Sequence, residues 1–425
     1  MLKQTKPQRK QCNKVCHTET PRRRLTIPVT MPVSFEKSFT QQEPIPEPAI
    51  AKAVEVMRSG KLHRYNTEPG ELSEAAALEK EFAAMLGVEF CLACASGGYA
   101  IHIALKACGL NPGDIVMTNA FTLAPVPGAI DNAGGKAALI EIDENYCVDL
   151  THLETVMRTS KSKFFLMSHM RGHLADMDAV IALCNKYNVC LIEDCAHTMG
   201  AYWNGKPSGT FGKAACFSTQ TYKHINSGEG GFLTTNDNEV MARAIIHSGS
   251  YMLFDRHGTA PDKDVFDQIK LETPNYSGRM DNLRAAILRE QLGSLEDNCK
   301  RWNKLYKAAE AGLRKNNSIT LSDRPTEETY VGSSIQFRVQ TLEDVNDFID
   351  RCARRGVELK WFGNKEPHGF TSRYDSWQYL GDTPTLPNTL RILDRTFDMR
   401  LPLTFDVGDM VVITDIINEE VASSL

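Results

Sequence analysis

From about Phe90 onward the chain alternates short apolar runs with amphipathic ones. "FCLACA", "DIVMTNAF", "KAALIEID", "KFFLMSH", "NVCLIED", "AACFST" and "GFLTTND" have strand length and strand composition. Among them, "GYAIHIALKACG" and "DMDAVIALCNKY" repeat their apolar positions at helical spacing. Alternation at such short intervals predicts an α/β fold, a mainly parallel central sheet with helices on its faces. Ligands of such sheets gather at the carboxyl ends of the strands. "ASGG", "NAF", "EDCAH" and "FSTQTYK" all fall at or just after a predicted strand end, so residues far apart in sequence are expected at one edge.

The pattern changes at "SGRMDNLRAAILREQLGSL". Met280, Leu283 and Ile287 there mark one apolar face of a long predicted helix that also carries Arg284 and Arg289. Beyond it, "SSIQFRV", "VNDFIDRCARRGVELKW" and a last helical stretch fit a smaller α+β unit. The expected organisation is a basic tail over 1–35, a large domain over 36–290 and a small C-terminal domain over 291–425. The opening "MLKQTKPQRKQCNKVCHTETPRRRL" lacks apolar periodicity and predicts a disordered tail; a transit peptide, richer in serine and amphipathic, is the lesser reading.

Composition narrows the partners. Net charge is −5, with 48 basic and 53 acidic residues intermixed, which gives no electrostatic footprint for nucleic acid or an anionic membrane. No apolar run reaches the roughly 18 residues of a spanning helix, and the basic start is not followed by the apolar core of a signal peptide. A cytoplasmic protein with a small-molecule partner is expected. The 12 cysteines lie scattered through apolar runs and are expected to be reduced and mostly buried. "CLAC" (Cys91 to Cys94) has zinc-like spacing but no second pair, so no metal is expected. "GTFGKAA" lacks the first P-loop glycine at its required spacing and the hydroxyl residue after Lys213, and "GEGGFL" does not complete a dinucleotide fingerprint.

The strand-end motifs carry the candidate chemistry. In "ASGGYAIHIAL" a strand ends in Ser96-Gly97-Gly98 and a helix begins at once, a turn whose backbone amides suit an anion. "LIEDCAHTMGA" ends a strand on Glu193 and Asp194, with His197 three residues on. "CFSTQTYKHINSGEGG" puts Lys223 five residues after Ser218 and just before a glycine cluster. Each feature alone is as well explained by packing or a solvated loop. Together they supply the parts of a pyridoxal 5'-phosphate site: a lysine for the Schiff base, a carboxylate for the ring nitrogen, and amides with a hydroxyl for the phosphate. Phe121, closing "MTNAF", is a candidate to stack on the ring.

From about Pro44 to the end, "EKEFAAMLGV", "NPGDIV", "HLADMDAVIALCNKYNVCLIEDCAHTMGA", "KPSGTFGKAACFST", "SGEGGFLTTND" and "RMDNLRAAIL" resemble, in order, the DegT/DnrJ/EryC1/StrS family of pyridoxal-phosphate-dependent sugar aminotransferases. The resemblance implies fold type I, with Lys223 as Schiff-base lysine, Asp194 as partner of the ring nitrogen and Ser218 with Gly97 and Gly98 at the phosphate. It also implies that Phe121 stacks and that Asn275, in "PNYSGRM", reaches the phosphate of the neighbouring subunit, hence a homodimer with shared sites. Gly98 stands where the family usually has threonine, His197 where it commonly has glutamine, and Arg171 with His173 in "SHMRGH" where sugar enzymes often read "HLYGQ". Arg171 and Arg279 are candidates for an anionic substrate group. The expected activity is transfer of an amino group from glutamate or glutamine to a keto-sugar or keto-cyclitol. Two alternatives are a keto-sugar dehydratase, for which the matching position would be histidine rather than Lys223, and a non-catalytic cofactor-binding regulatory protein.

Overall fold

Seven strands form the principal sheet: β1 (Phe90–Cys94), β2 (Ile115–Asn119), β3 (Lys136–Ile140), β4 (Phe164–Ser168), β5 (Cys190–Asp194), β6 (Ala214–Ser218) and β7 (Gly231–Thr235), in the order β1-β7-β6-β5-β4-β2-β3. This computed structural model describes residues 33–423 except Thr341, so the basic tail expected over 1–35 lies almost wholly outside the described residues. Only β7 is antiparallel to its neighbours, β1 and β6; the other pairings are parallel. The six remaining strands therefore point one way, and their carboxyl ends share an edge. All seven apolar runs named above are in this sheet.

Side chains alternate between two cores, as the pleat requires. Cys91 and Ala93 join Phe82, Phe217 and Phe232 on one face, while Leu92 and Cys94 join Ile101, Ile103 and Ile245 on the other. Cys91 and Cys94 thus project to opposite faces of β1 and cannot chelate one ion. Helices on the faces begin at side-chain caps that satisfy otherwise unpaired amides: Ser96 accepts from the Tyr99 amide at 3.1 Å, and Asp237 from that of Val240 at 2.9 Å.

A second, antiparallel sheet comprises β8 (Ile319–Leu321), β9 (Ser334–Val339), β10 (Lys360–Trp361) and β11 (Thr396–Arg400), in the order β8-β9-β11-β10. Helices Leu295–Leu313 and Val407–Ala422 help to enclose its core around Phe337, Phe348, Phe397 and Met410. Phe35 and Phe39 belong to the same core, each meeting the Phe405 ring edge-on at 5.0 Å. The chain leaves that core at residue 40 and runs past the site described below.

One expectation needs correction. The long helix foreseen from Met280 is two helices, Asn282–Leu292 and Leu295–Leu313, separated at Gly293-Ser294. The first buries Asn282, Ala285, Ala286 and Leu288, and Leu283 and Ile287 are only half-buried. Small residues face inward because helices Glu47–Ser59 and Glu74–Leu86 pack close against this one. A domain boundary at 290/291 is a proposal; it falls beside that break.

Candidate active site

Asp194 is the last residue of β5, and Ser168 stands directly opposite it at the end of β4. The Ser168 hydroxyl donates to Asp194 Oδ2 at 2.8 Å and the Ala196 amide to Oδ1 at 3.1 Å, fixing a carboxylate that is only 7% exposed. Glu193, one residue earlier, points to the other face. Its Oε1 accepts from the amides of Phe211 and Gly212 at 2.8 and 2.7 Å, and its Oε2 from Gly209 at 3.0 Å, with His169 Nε2 3.1 Å away. Although burial opposes it, His169 and these amides hold the Glu193 carboxyl below its ordinary range. Glu193 is thus occupied by the turn before β6 and by His169, which leaves Asp194 as the carboxylate able to meet a ligand.

The strand edge also assembles a cradle. Helix Gly97–Ala107 begins immediately after Ser96, so the amides of Gly97 and Gly98 have no acceptor within the helix and lie at its positive end. A Cβ at Gly97 would sit 2.9 Å from Ser218 Cβ and 3.3 Å from the Phe217 carbonyl oxygen. Glycine is required there because the turn lies against the end of β6. Gly231 has the same cause: a Cβ on it would meet the Gly97 nitrogen at 2.6 Å. The glycine cluster after Lys223 is therefore needed to start β7 beneath the turn. By contrast, a Cβ at Gly98 would meet nothing closer than Pro125 Cβ, at 3.7 Å.

Lys223 lies in the loop joining β6 to β7, its amide donating to the Gln220 carbonyl at 2.8 Å. Burial first, then the positive charges of Arg171 and Arg400, push its amine down to about 7 against the opposing pull of Asp194. An amine so placed is substantially unprotonated near neutrality, as a nucleophilic lysine must be. His197 adjoins the same group: burial and the Lys223 charge hold its imidazole well below the ordinary range, and its Nδ1 accepts from the Arg171 amide at 3.0 Å. Its free Nε2 therefore carries the proton.

The other predicted residues have more varied surroundings. Phe121 is 1% exposed and packs edge-on against Phe362 at 4.9 Å and beside Tyr146, in a cluster with Met170 and Ile392. Arg171 adopts a left-handed backbone (φ 56°) and pairs with Asp398 at 2.9 Å, its guanidinium over the Phe370 ring at 4.8 Å. His173 is buried and hydrogen-bonded to Gln336 at 2.7 Å. Arg279 is tied within the chain, donating to the Gly249 carbonyl at 2.8 Å and lying over the Tyr251 ring at 4.8 Å. Asn275 is exposed, its Oδ1 accepting from the Ser277 amide at 2.9 Å. Ser168, Tyr222 and Arg400 were not anticipated. Ser168 closes the run "FFLMS" and could have been suspected as a hydroxyl at a strand end; Arg400 carries no local signal.

A helix N-terminus with two open amides, a glycine that a side chain would block, a hydroxyl at Ser218, a fixed carboxylate and a lysine of lowered pKa are the donor set that pyridoxal phosphate requires. The residues present fit that group. Comparisons agree in kind. A family model described as the DegT/DnrJ/EryC1/StrS aminotransferase family matches residues 45–415. The chain is 34% identical over 213 residues to a "Pleiotropic regulatory protein" of Geobacillus stearothermophilus, covering 50% of this chain and 54% of that one. It is 34% identical over 216 residues to a "Putative L-glutamine:3-amino-2,3-dideoxy-scyllo-inosose aminotransferase" of Micromonospora echinospora, covering 50% and 49%. The chain thus spans about half the length of these curated relatives. In fold it is similar to the aminotransferase TlmJ from Streptoalloteichus hindustanus, with a TM-score of 0.77, 20% identity, and coverage of 90% of this chain and 98% of that one. With the family model matching most of its length, the chain belongs to the DegT/DnrJ/EryC1/StrS aminotransferase family.

Proposed function

We propose that the protein is a homodimeric, pyridoxal-phosphate-dependent aminotransferase that moves an amino group from glutamate or glutamine to the ketone of a sugar or cyclitol. The observation that carries this reading is the meeting, at one strand edge, of Lys223 at about 7 with Asp194 and the Gly97–Ser218 cradle. When bound, the cofactor supplies an aldehyde for amine exchange and a ring that withdraws electron density. The amides of Gly97 and Gly98 and the Ser218 hydroxyl bind the phosphate. Asp194, oriented by Ser168, holds a proton on the ring nitrogen. Lys223 Nζ anchors the cofactor and, once released from it, takes a proton from one substrate carbon and returns it to another site. His197 places a neutral ring beside that amine.

Asn275 contributes to the partner's phosphate site in this reading. Its exposure, and that of Tyr251, Met252, Leu271 and Tyr276 on the neighbouring loops, supports a second copy on this surface. Dehydration is less well supported, since a lysine occupies position 223 and the buried His224 ring stands edge-on to Trp302 at 5.2 Å. A purely regulatory role is suggested by one relative's name alone. Borohydride reduction of the protein with pyridoxal phosphate, followed by peptide mapping, tests the reading. The label is expected on Lys223, and none in Lys223→Ala. A label on Lys213, which instead pairs with Asp237 at 3.1 Å, overturns it. Loss of the cofactor's absorbance band on adding the amino donor separates transfer from the two alternatives.

A further inference from the structure

The two departures in "SHMRGH", Arg171 and His173, both find their partners on the small sheet. Gln336 of β9 and Asp398 of β11 stand directly opposite each other there, and each is 1% exposed. Gln336 is fully used. Its Oε1 accepts from His173 Nε2 at 2.7 Å, and its Nε2 donates to Ser334 Oγ at 2.9 Å and to Asp398 Oδ1 at 2.6 Å. His173 is a neutral donor in that pair, because burial and then the Arg324 charge hold its imidazole well below the ordinary range. With Oδ1 taken, Asp398 presents Oδ2 to Arg171, 2.9 Å from NH2.

That contact is one of charge. Arg171 NH2 lies within ion-pair distance of Asp398 but is not aligned for a hydrogen bond to any described residue, and the guanidinium lies over the Phe370 and Phe362 rings at 4.8 and 5.8 Å. Burial opposes the charged guanidinium, Asp398 supports it and Arg400 repels it. The backbone beneath is also held against its preference, since φ at Arg171 is 56°, a left-handed conformation that a non-glycine residue keeps only where its surroundings impose it. Arg171 in turn acts on the site twice: its amide donates to His197 Nδ1 at 3.0 Å, and its charge bears on the Lys223 amine. The titratable and charged groups acting on that amine are Arg171, Arg400, Asp194, His197 and His224. Asp398 reaches it through Arg171.

We propose that Asp398, oriented by Gln336, is a positioning residue for the active site: it keeps the Arg171 guanidinium over the Phe370 ring and its charge on the Lys223 amine. The inference rests on the function proposed above in taking Lys223 as the reactive amine. Asp398→Asn isolates the charge. Gln336 Nε2 already requires an oxygen at the Oδ1 position, so an asparagine there would turn its NH2 group toward the guanidinium, donor against donor. Arg171, repelled by Lys223 and Arg400 as well, would then leave its place.

The test reads Lys223 itself in the full chain free of cofactor. Acetylation by trace acetic anhydride across a pH series, followed by peptide mass mapping, gives the pH midpoint of Lys223 reactivity. Asp398→Asn is expected to raise that midpoint by about one pH unit, and Arg171→Met to raise it at least as far, since each removes a like charge from the amine. The double variant is expected to match Arg171→Met alone, because Asp398 acts through the arginine. A midpoint in Asp398→Asn that is unchanged or lower overturns the proposal, as does a double variant whose rise is the sum of the two. Gln336→Met, which keeps the carboxylate but removes its tether, is a second variant: a smaller rise is expected, and an unchanged midpoint overturns the proposal too. Acetylation needs no cofactor, so failure here leaves the proposed function standing. Absence of a borohydride label on Lys223 in the loaded, unmutated protein defeats that function instead, and the positioning role then stands or falls by the midpoints alone.

Discussion

Lys223→Met removes an ammonium from a half-buried position while keeping an unbranched side chain, and in cofactor-free protein it should raise stability. Lys223 titrates near 7 in the folded chain and near 10.4 when unfolded. The unfolded chain therefore binds more protons between those values, and the folding free energy of the unmutated protein improves as pH rises through that window. The lysine's penalty is full below about pH 7 and fades toward pH 10. Linkage gives a gain for Lys223→Met on the order of 4 kcal/mol at pH 7, shrinking to about 2 kcal/mol at pH 9. The absolute gain includes altered packing and the loss of the lysine's pull on Asp194. The change with pH isolates the amine. Urea unfolding of both proteins at pH 7 and pH 9, at equal concentration and free of cofactor, measures it. A stability difference that stays constant between the two pH values would refute the lowered pKa, and with it the premise that burial and the two arginines prepare this amine.

The two acidic neighbours should separate cleanly. Asp194→Asn should fold and retain cofactor yet lose at least about hundredfold in turnover, near 3 kcal/mol in the barrier, whereas Glu193→Gln should lower the unfolding midpoint, because one amide oxygen cannot serve three backbone donors. Near-normal turnover in a folded Asp194→Asn protein would show that the wrong carboxylate has been chosen. Gly97→Ala should weaken cofactor retention on dialysis, since its Cβ collides with Ser218, while Gly98→Thr should be tolerated and strengthen retention by adding a hydroxyl; the reverse order would contradict the cradle. Mixing inactive Lys223→Ala and Asn275→Ala chains should restore activity, because one site of each heterodimer receives both intact residues. Demonstrated heterodimers without activity would mean that each chain builds its own site.

The alternation of apolar runs made the principal sheet legible, because each run is one strand, buried over most of its length except at β3, with turn residues at its ends. The candidate site was legible for the same reason: Asp194, Ser218 and the Ser96–Gly98 turn sit on strand ends, whose position in space follows from the fold class. What escaped depends on contacts between distant segments. Nothing local in "TFDMRLPL" distinguishes Arg400 from any arginine that closes a strand, and only its packing over Tyr222 gives it a place. Phe35 and Phe39 lie before the first predicted element, yet they complete the core of the small sheet, which no periodicity near them could indicate. The helix near Met280 is shorter than the single face suggested by its leucines. The buried face is instead alanine-rich, set by the closeness of two other helices, and that closeness is tertiary information.

The same comparison bears on how this site keeps its lysine reactive. A lysine in a loop is ordinarily solvated and protonated, and nothing in "TQTYKHINSG" forbids that. Three elements from elsewhere in the chain change it: the turn after β4, which brings Arg171; the end of β11, which brings Arg400; and the loop's own enclosure beside the residues around 42–46. Two of the three carry positive charge toward an amine, an arrangement that raises the cost of protonating Lys223 and would be destabilising without a compensating role. Arg171 is offset by Asp398. Arg400 has no such counter-charge among the described residues, so its repulsion of Lys223 is not offset.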